Sequence, residues 1–329
     1  MTKVLVTGGS GFIGKHLVAR LAALDHEVRI LDPLPPADAL PGVQHVAGSI
    51  LDPSLVDECV RDVDLVYHLA GLPGMWMPRK DDFDAVNFHG TEIVLAAARK
   101  RGVARFLHCS TESILFPSSQ RAASGLDALP ADEMPGRYTR SKLLAERSAM
   151  QAATSGFPVI IGTPTMPIGP HDHNLTPPTA MLRHFLNKSV RLYLDFVVNL
   201  VDVRDVASGL VLAMERGQVG HRYILGGESI PLNRILQIMS AISGRRSLQV
   251  PVPGAVAQKA AAVLEFIADH VTHRPPSGTE EGVRIALRAT ALSIEKARLE
   301  LGYQPRPVEP ALRETIAYLL KACGNRQQA

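Results

Sequence analysis

Two patterns of apolar and polar positions alternate along the first half of the chain. Short, nearly continuous apolar runs predict buried strands at 3–7, 27–31, 64–70, 104–110 and 158–164. Between these runs, apolar residues recur every three or four positions, which predicts helices over 15–24, 54–62, 88–102 and 138–156. A regular succession of strand and helix is typical of a parallel sheet with helices on both faces. We therefore expect an α/β, doubly wound parallel sheet.

The second half of the chain breaks this regular succession. The stretch 164–178 is rich in proline, histidine and threonine. The pattern then predicts a helix over 180–188, a strand near 199–203, a helix over 203–215, a strand over 222–227 and three or four further helices. We expect a first domain over 1–165, with a returning segment near 199–227, and a smaller, mostly helical C-terminal domain over 166–329.

Composition limits the binding partners and the cellular compartment that we expect for this protein. The chain has 329 residues, 46% of them hydrophobic, and a net charge of +3 without a Lys/Arg block, so we expect no nucleic-acid partner. The chain contains no run of about 18 apolar residues, so we expect no membrane span. The three cysteines lack metal-ligand spacing, and the N-terminus lacks the regions of a signal peptide. We expect a cytoplasmic protein without a metal site.

A glycine-rich turn follows the first predicted strand and opens the first helix. It reads TGGSGFIG over residues 7–14, with Gly8, Gly11 and Gly14 spaced three apart. Glycines at this spacing permit a tight turn and a close approach of the backbone to a pyrophosphate at the helix N-terminus. The alternative is an ordinary glycine-rich turn. The position in a strand–turn–helix unit favours a Rossmann-type dinucleotide site.

Asp32 stands at the end of the second predicted strand. A carboxylate at this place can accept hydrogen bonds from the adenosine ribose hydroxyls and would repel a 2′-phosphate, which favours NAD over NADP. The alternative is that Asp32 only caps a loop.

The segment YTRSK, residues 138–142, places Tyr138 four residues before Lys142. Both side chains then share one helix face, and a nearby ammonium favours the phenolate form of tyrosine. Upstream, Ser110 and Thr111 follow the apolar run of the fourth predicted strand, at the edge where open α/β sheets bind ligands. These residues predict a tyrosine acid/base with a neighbouring cation and a hydroxyl. The alternative is an exposed helix pair.

Several motifs together resemble a known family. They are TGGSGFIG, YHLAG at 67–71, NFHGT at 87–91, YTRSK, TPTMPIGP at 163–170, LVDVRDVA at 200–207, YILGG at 223–227 and LGYQP at 301–305. The chain resembles extended short-chain dehydrogenases/reductases of the NAD-dependent epimerase/dehydratase superfamily. Within it, the second half is most similar to hopanoid-associated sugar epimerases and, more distantly, to dihydroflavonol reductases.

The resemblance implies roles for individual residues. Tyr138 would be the catalytic acid/base, Lys142 would bind the nicotinamide ribose, and Thr111 would hold the reacting oxygen. The implied NAD-binding residues are Gly8, Gly11, Phe12, Ile13, Asp32, Ser49, Ile50, Leu69, Ala70, Gly71, Asn87, Tyr138, Lys142 and Pro164. A homodimer through the helices predicted at 88–102 and 138–156 is also implied.

Departures from the family pattern bear on the substrate. Nucleotide-sugar epimerases commonly carry an arginine that grips a diphosphate, and Val198 occupies that place here. The apolar residues over 192–198 suggest a more lipophilic pocket. The Ser49-Ile50 pair stands where the family often has an aspartate and an aliphatic residue near the adenine, so this contact is expected to be weaker.

Four residues are candidates for contact with substrate: Glu112, Trp76, His171 and Asn199. Glu112 matches the first acid of the pair in sugar-nucleotide dehydratases, but Ser113 replaces the second acid. We therefore favour the interpretation of Glu112 as a polar residue at a strand end. Trp76 either closes over the substrate or only packs.

These observations predict an NAD-dependent oxidoreductase that moves hydride to or from a substrate carbinol or ketone carbon. The first hypothesis is a dehydrogenase or ketoreductase acting on a small or lipophilic substrate. The alternative is an epimerase or dehydratase that retains NAD and acts on a nucleotide sugar. A non-catalytic nucleotide-binding sensor is disfavoured because it would not need Thr111, Tyr138 and Lys142.

Overall fold

The computed structural model describes residues 1–37, 40–117, 126–186, 188–245 and 247–324. The strands of this part of the chain are β1 (Lys3–Thr7), β2 (Glu27–Asp32), β3 (Val43–Ala47), β4 (Leu65–His68), β5 (Arg105–Cys109), β6 (Leu115–Pro117), β7 (Leu126–Ala128), β8 (Val159–Pro164), β9 (Met166–Ile168), β10 (Val190–Tyr193), β11 (Val197–Asp202), β12 (Arg222–Leu225), β13 (Glu228–Pro231) and β14 (Leu248–Pro251).

The α-helices of the same residues are α1 (Phe12–Ala23), α2 (Pro53–Val60), α3 (Gly90–Lys100), α4 (Arg137–Thr154), α5 (Pro177–Leu186), α6 (Val203–Arg216), α7 (Leu232–Ser243), α8 (Gly254–Ile267), α9 (Glu280–Arg288), α10 (Glu295–Leu301) and α11 (Val308–Gly324). Two π-helical turns, Asp84–His89 and Ala268–Thr272, and a 3₁₀ turn, Glu112–Ile114, complete the helical elements. None of these helices is long and apolar enough to cross a bilayer.

Seven strands form the central sheet, in the order β12-β8-β5-β4-β1-β2-β3. All neighbours are parallel; Val6, for example, lies opposite Ile30 on β2 and Tyr67 on β4. Strand order reverses between β1 and β4, which is the topology of a doubly wound Rossmann sheet and places the ligand crevice at the carboxyl ends of these strands. The expected fold class is confirmed.

The pattern of apolar residues did not predict β3. This strand lies at the edge of the sheet, and none of its side chains is fully buried. Gln44 and His45 interrupt its apolar positions. An edge strand with one solvated side needs no continuous apolar run, so the criterion used for buried strands missed it.

Two cores form because successive side chains of a strand point to opposite faces of the sheet. Leu107 and Ile160 pack with residues of α1 and α6. Phe106 and Val159, each the neighbour of one of these residues in the chain, pack with residues of α2, α3 and α4. The helix that begins with residue 137 is therefore held on the second face of the sheet.

The residues after Pro164 contain more strand than the pattern predicted. β9, β11 and β13 form a three-stranded sheet, and β10 pairs with β14. Residues of α5, α7 and α11 pack with β11 in a third core that includes Leu182, Ile235 and Leu312. These strands are only three to six residues long, so a criterion based on longer apolar runs detects few of them.

Candidate active site

The glycine-rich turn joins β1 to α1 beneath the carboxyl edge of the sheet. Gly8 has a φ of +71°, and a Cβ there would lie 2.7 Å from the backbone nitrogen of Ala70. Gly11 precedes the first residue of α1, and neither a side-chain cap nor an acidic residue occupies the first turn. The amides of this helix start are therefore available to an anion, as a pyrophosphate site requires.

Asp32 lies beside this turn at the end of β2. Its Oδ2 accepts a hydrogen bond from the Ser10 amide at 3.2 Å, and its Oδ1 accepts one from the Leu34 amide at 3.0 Å. The carboxylate thus caps two loops, which was the alternative interpretation. Each carboxylate oxygen has a second lone pair, so the same group can also accept ribose hydroxyls.

The residues expected beneath the cofactor follow β4 directly. The Leu69 amide donates to the Thr7 carbonyl at 3.0 Å, and the Ala70 amide donates to Thr7 Oγ1 at 3.2 Å. A Cβ on Gly71 would lie 3.0 Å from Asn87 Oδ1. Leu69 and Ala70 therefore pack directly against the glycine-rich turn.

Asn87 connects the segment after β4 to α4. Its Oδ1 accepts a hydrogen bond from the Leu72 amide at 2.7 Å, and its Nδ2 donates to Ser141 Oγ at 3.0 Å. Asn87 is 1% exposed. The amide therefore braces the loop against the helix that carries Tyr138.

Ser49 and Ile50 lie after β3 and take part mainly in local structure. Ser49 Oγ accepts a hydrogen bond from the Leu51 amide at 3.1 Å. The Ile50 side chain belongs to the core on the α3 side of the sheet and approaches Gly90 closely.

Thr111, Tyr138 and Lys142 come together at the carboxyl end of β5. Thr111 hydrogen-bonds the Tyr138 phenol through its side chain. The Lys142 ammonium donates a hydrogen bond to the Cys109 carbonyl at 2.8 Å. Lys142, on α4, is only 8% exposed. The three residues predicted from YTRSK and the strand end thus lie together, with Thr111 and Lys142 buried and Tyr138 partly buried.

Burial governs the acid–base properties of this cluster. Burial raises the pKa of the Tyr138 phenol, and the hydrogen bond from Thr111 only partly opposes it. Burial likewise lowers the pKa of the Lys142 ammonium. The neighbouring carboxyl groups of Glu112 and Glu281 also raise the Tyr138 pKa when they are charged. A bound cationic group would act in the opposite direction and favour the phenolate.

Glu112 lies next to this cluster in the 3₁₀ turn that follows Thr111. Burial raises the pKa of its carboxyl group from 4.5 to about 8. The carboxyl group therefore carries a proton at neutral pH. This property goes beyond the interpretation of Glu112 as a polar residue at a strand end.

Trp76 packs against the C-terminal part of the chain. It is 8% exposed, and its Nε1 donates to Asp269 Oδ1 at 2.7 Å. This arrangement agrees with packing, one of the two possibilities left open by the sequence.

His171 and Asn199, the other two substrate candidates, differ in their surroundings. His171 has a φ of +64°, its carbonyl accepts a hydrogen bond from Lys15, and its ring lies 5.4 Å from that of Tyr318. Asn199 is buried, with Nδ2 donating to Ser229 Oγ at 2.8 Å and Oδ1 accepting from the Gly227 amide at 3.0 Å. The amide of Asn199 therefore joins β11 to the start of β13.

Buried hydroxyl groups at the carboxyl ends of β5 and β8 lack partners. Within the described residues, Ser110 Oγ and Thr165 Oγ1 have no hydrogen bond and are no more than 6% exposed. Thr165 follows Pro164, the last residue of β8. Buried polar groups normally have partners, so a polar ligand such as a nucleotide fits this edge of the sheet. The described residues contain no group of three metal-ligating side chains.

Glu281 is a site residue that the sequence did not indicate. It lies on α9, yet its Oε1 accepts hydrogen bonds from the Thr139 amide and hydroxyl, each at 2.7 Å. Its Oε2 accepts one from the Tyr138 amide at 3.3 Å. The carboxylate therefore caps the N-terminus of α4 from 142 or 143 residues away in the chain. Gly136 permits this contact because a Cβ there would collide with Glu281.

Comparison with known proteins identifies the family. The profile of the NAD dependent epimerase/dehydratase family matches residues 4–226. The chain belongs to this family. The expected fold, the enzymatic character and the NAD cofactor are thereby confirmed, and the glycine-rich turn and unpartnered hydroxyls described above fit this cofactor.

Individual relatives cover nearly the whole chain. A Synechocystis protein named as a dihydroflavonol 4-reductase is 32% identical and covers 94% of this chain and 92% of its own. A 4-hydroxy-2-methyl-3-oxo-4-farnesyl-3,4-dihydroquinoline-1-oxide ketoreductase of Stigmatella aurantiaca is 29% identical, with 92% of both chains covered. The dTDP-glucose 4,6-dehydratase DesIV of Streptomyces venezuelae, solved with NAD, shares the fold with a TM-score of 0.76 at 24% identity, and the match covers 98% of both chains.

Glu281→Ala should lower the free energy of unfolding of this family member by about 1–3 kcal/mol, because two amides at the start of α4 lose their acceptor. Urea unfolding measures the change. The matched control is Glu280→Ala, which removes only an exposed pair with Arg284 and should cost a few tenths of a kcal/mol. Equal effects of the two substitutions would contradict the capping role.

The raised pKa of Glu112 predicts a pH dependence of stability. Between 4.5 and about 8 the folded protein keeps a proton on Glu112 that the unfolded chain has released. The free energy of unfolding should therefore fall as pH rises through this window, and Glu112→Gln should reduce that fall. Unfolding at several pH values, with exposed Glu215→Gln as the control, measures it. A pH slope unchanged by Glu112→Gln would show that Glu112 ionises normally.

Proposed function

We propose that this protein is a dehydrogenase or ketoreductase that moves hydride between NAD and the carbinol or ketone carbon of a small or lipophilic substrate. The observation that carries the proposal is the cluster in which Thr111 hydrogen-bonds Tyr138 next to the buried Lys142. When bound, NAD accepts or supplies the hydride. A non-catalytic nucleotide-binding protein would have no need for this cluster.

Tyr138, Thr111 and Lys142 have separate roles in the proposed proton transfer. In the oxidising direction Tyr138 takes the hydroxyl proton of the substrate while the carbon–hydrogen bond breaks, and in the reducing direction Tyr138 returns that proton. Thr111 holds the substrate oxygen next to the phenol. Lys142, close to the carboxyl end of β5, supports the phenolate by its charge and binds the nicotinamide ribose.

The proposed NAD contacts lie along the carboxyl edge of the central sheet. We propose that Gly8, Gly11, Phe12 and Ile13 bind the pyrophosphate and that Asp32 binds the adenosine ribose. The remaining proposed contacts are those of Ser49, Ile50, Leu69, Ala70, Gly71, Asn87 and Pro164. In this assignment residues 1–165, with 199–227, hold NAD, and the rest of 166–329 surrounds the substrate.

A lipophilic substrate is supported by the absence of a cation at one position. Val198 stands where nucleotide-sugar epimerases commonly carry an arginine, and it is 1% exposed within the third core. The nearby Arg191 does not replace that arginine, because it is buried and donates to the Phe185 and Leu236 carbonyls. The Stigmatella relative, whose name specifies a farnesyl-bearing ketone, is consistent with this class of substrate.

An epimerase or dehydratase that retains NAD is the second candidate. The observation that favours it is Glu112, which holds a proton near neutral pH beside Tyr138 and could protonate a leaving hydroxyl group. Ser113 in place of the second acid argues against a two-acid elimination.

We also propose a homodimer through α3 and α4 and a cytoplasmic location. The dimer is supported by the family resemblance of these two helices. The location is supported by Cys59 and Cys109, which are buried and unpaired. Burial raises the pKa of both thiols, which keeps them protonated and unreactive.

Tyr138→Phe should lower kcat on the order of 10²–10⁴-fold while NADH binding persists, because only the phenolic proton is lost. Steady-state kinetics and a fluorescence titration with NADH measure the two quantities. The control is Tyr67→Phe, since Tyr67 is buried in the opposite core and has no role in the cluster. Unchanged turnover in Tyr138→Phe would refute the assignment.

The nucleotide content of the purified protein separates the two candidate functions. A dehydrogenase or ketoreductase exchanges its cofactor at each turnover, so protein purified without nucleotide should be nearly empty and should bind NADH reversibly. Denaturation followed by chromatography of the released nucleotide measures this. Near-stoichiometric NAD would instead support the epimerase or dehydratase, and a preference for NADPH would contradict the role of Asp32.

A further inference from the structure

α8 and the π-helical turn that follows it expose an apolar surface. Val256, Val263, Phe266 and Val271 are 55%, 59%, 61% and 68% exposed. The exposed face, which we name the α8 stripe, consists of Val256, Ala260, Val263, Leu264, Phe266, Ile267 and Val271. A surface helix normally turns such residues toward a core. Exposed apolar patches of this kind mark interaction surfaces.

The opposite face of the same helix is firmly attached to the protein. Lys80 donates to Glu265 Oε1 at 2.9 Å and to Asp269 Oδ2 at 2.6 Å, and Trp76 also donates to Asp269. Ala261 and Ala268 are buried on this face. The attachment fixes the orientation of α8, so the stripe cannot reach the core by rotation of the helix.

Two exposed cations border the stripe. Lys259 and Arg274 are exposed, and neither has an acidic partner among the described residues. The acids of residues 250–290 are Glu265 and Asp269, which share the single cation Lys80 on the opposite face of the helix; Glu280, paired with Arg284; and Glu281, buried at α4. A surface with apolar side chains and unpaired cations is complementary to an anionic lipid bilayer.

We propose that the α8 stripe is a membrane-binding surface, with α8 lying in the plane of an anionic bilayer. The apolar side chains enter the boundary between headgroups and acyl chains, while Lys259 and Arg274 meet lipid phosphates. A second copy of this chain fits the surface less well. A two-fold interface built on the stripe would bring Lys259 and Arg274 of both copies together, whereas Glu265 and Asp269 lie on the opposite face of the helix.

The attached face of this helical segment contacts the loop that leads to the proposed catalytic cluster. Lys80 and Trp76 belong to the loop that ends at Phe83, and the Phe83 ring lies 6.1 Å from the Tyr138 ring. A substrate dissolved in the bilayer would then approach the reacting residues from the side of this loop. This last step rests on the proposed function, whereas membrane binding does not.

Sedimentation with vesicles tests the proposal without measuring turnover. The full chain should sediment with vesicles of phosphatidylcholine and phosphatidylglycerol, and weakly with phosphatidylcholine alone. Added salt should release it, because the cations contribute. The double substitution Val263→Asp and Ile267→Asp should weaken binding by about tenfold or more, and Lys259→Glu should weaken it by a smaller factor.

Leu299→Asp is the matched control, because Leu299 is 76% exposed on α10, outside the stripe. It should leave vesicle binding unchanged, and circular dichroism should show that every variant is folded. Failure to bind anionic vesicles, or equal binding by the double variant, would overturn the proposal. Light scattering provides a further test: a dimer abolished by the double substitution, with no vesicle binding, would assign the stripe to a second copy.

Discussion

The parallel direction of the strands is the constraint on which the candidate site depends. Because β1, β2, β4, β5 and β8 run the same way, their carboxyl ends meet at one edge of the sheet. The glycine-rich turn, Asp32 and Thr111 each follow one of these ends. No side chain caps the start of α1 at this edge. The amides of α1 are therefore available to NAD, the cofactor used by the NAD-dependent epimerase/dehydratase family.

The position of α4 depends on contacts from two other parts of the chain. Asn87 fixes its first turns from the loop after β4, and Glu281 caps its N-terminus from α9. Both contacts lie within a turn of Tyr138. The helix therefore presents Tyr138 and Lys142 to the sheet edge in one orientation, which a general acid/base requires.

Low solvent access sets the chemistry of this cluster. Burial disfavours the charged forms of Tyr138, Lys142 and Glu112 alike. Such groups become usable near neutral pH when bound charge compensates them. The same C-terminal segment that supplies Glu281 also carries α8, whose inner face holds the loop with Trp76. The loop with Trp76 and the N-terminus of α4 are thus held by the same C-terminal segment.

The sequence alone predicted the doubly wound fold, the glycine-rich turn that opens α1, and the placement of Thr111, Tyr138 and Lys142 at one edge of the sheet. These features depend on local periodicity and on short motifs whose spacing fixes a helix face or a strand end. The edge strand β3 and the short strands β9, β10, β13 and β14 were not predicted, because they lack continuous apolar runs, whereas β11 and β12 were. Only the tertiary structure decided that Glu281 caps α4, that burial raises the pKa of Glu112 and that one face of α8 is exposed. Each of these depends on which distant segments meet, and on how much water they exclude, which no local pattern records.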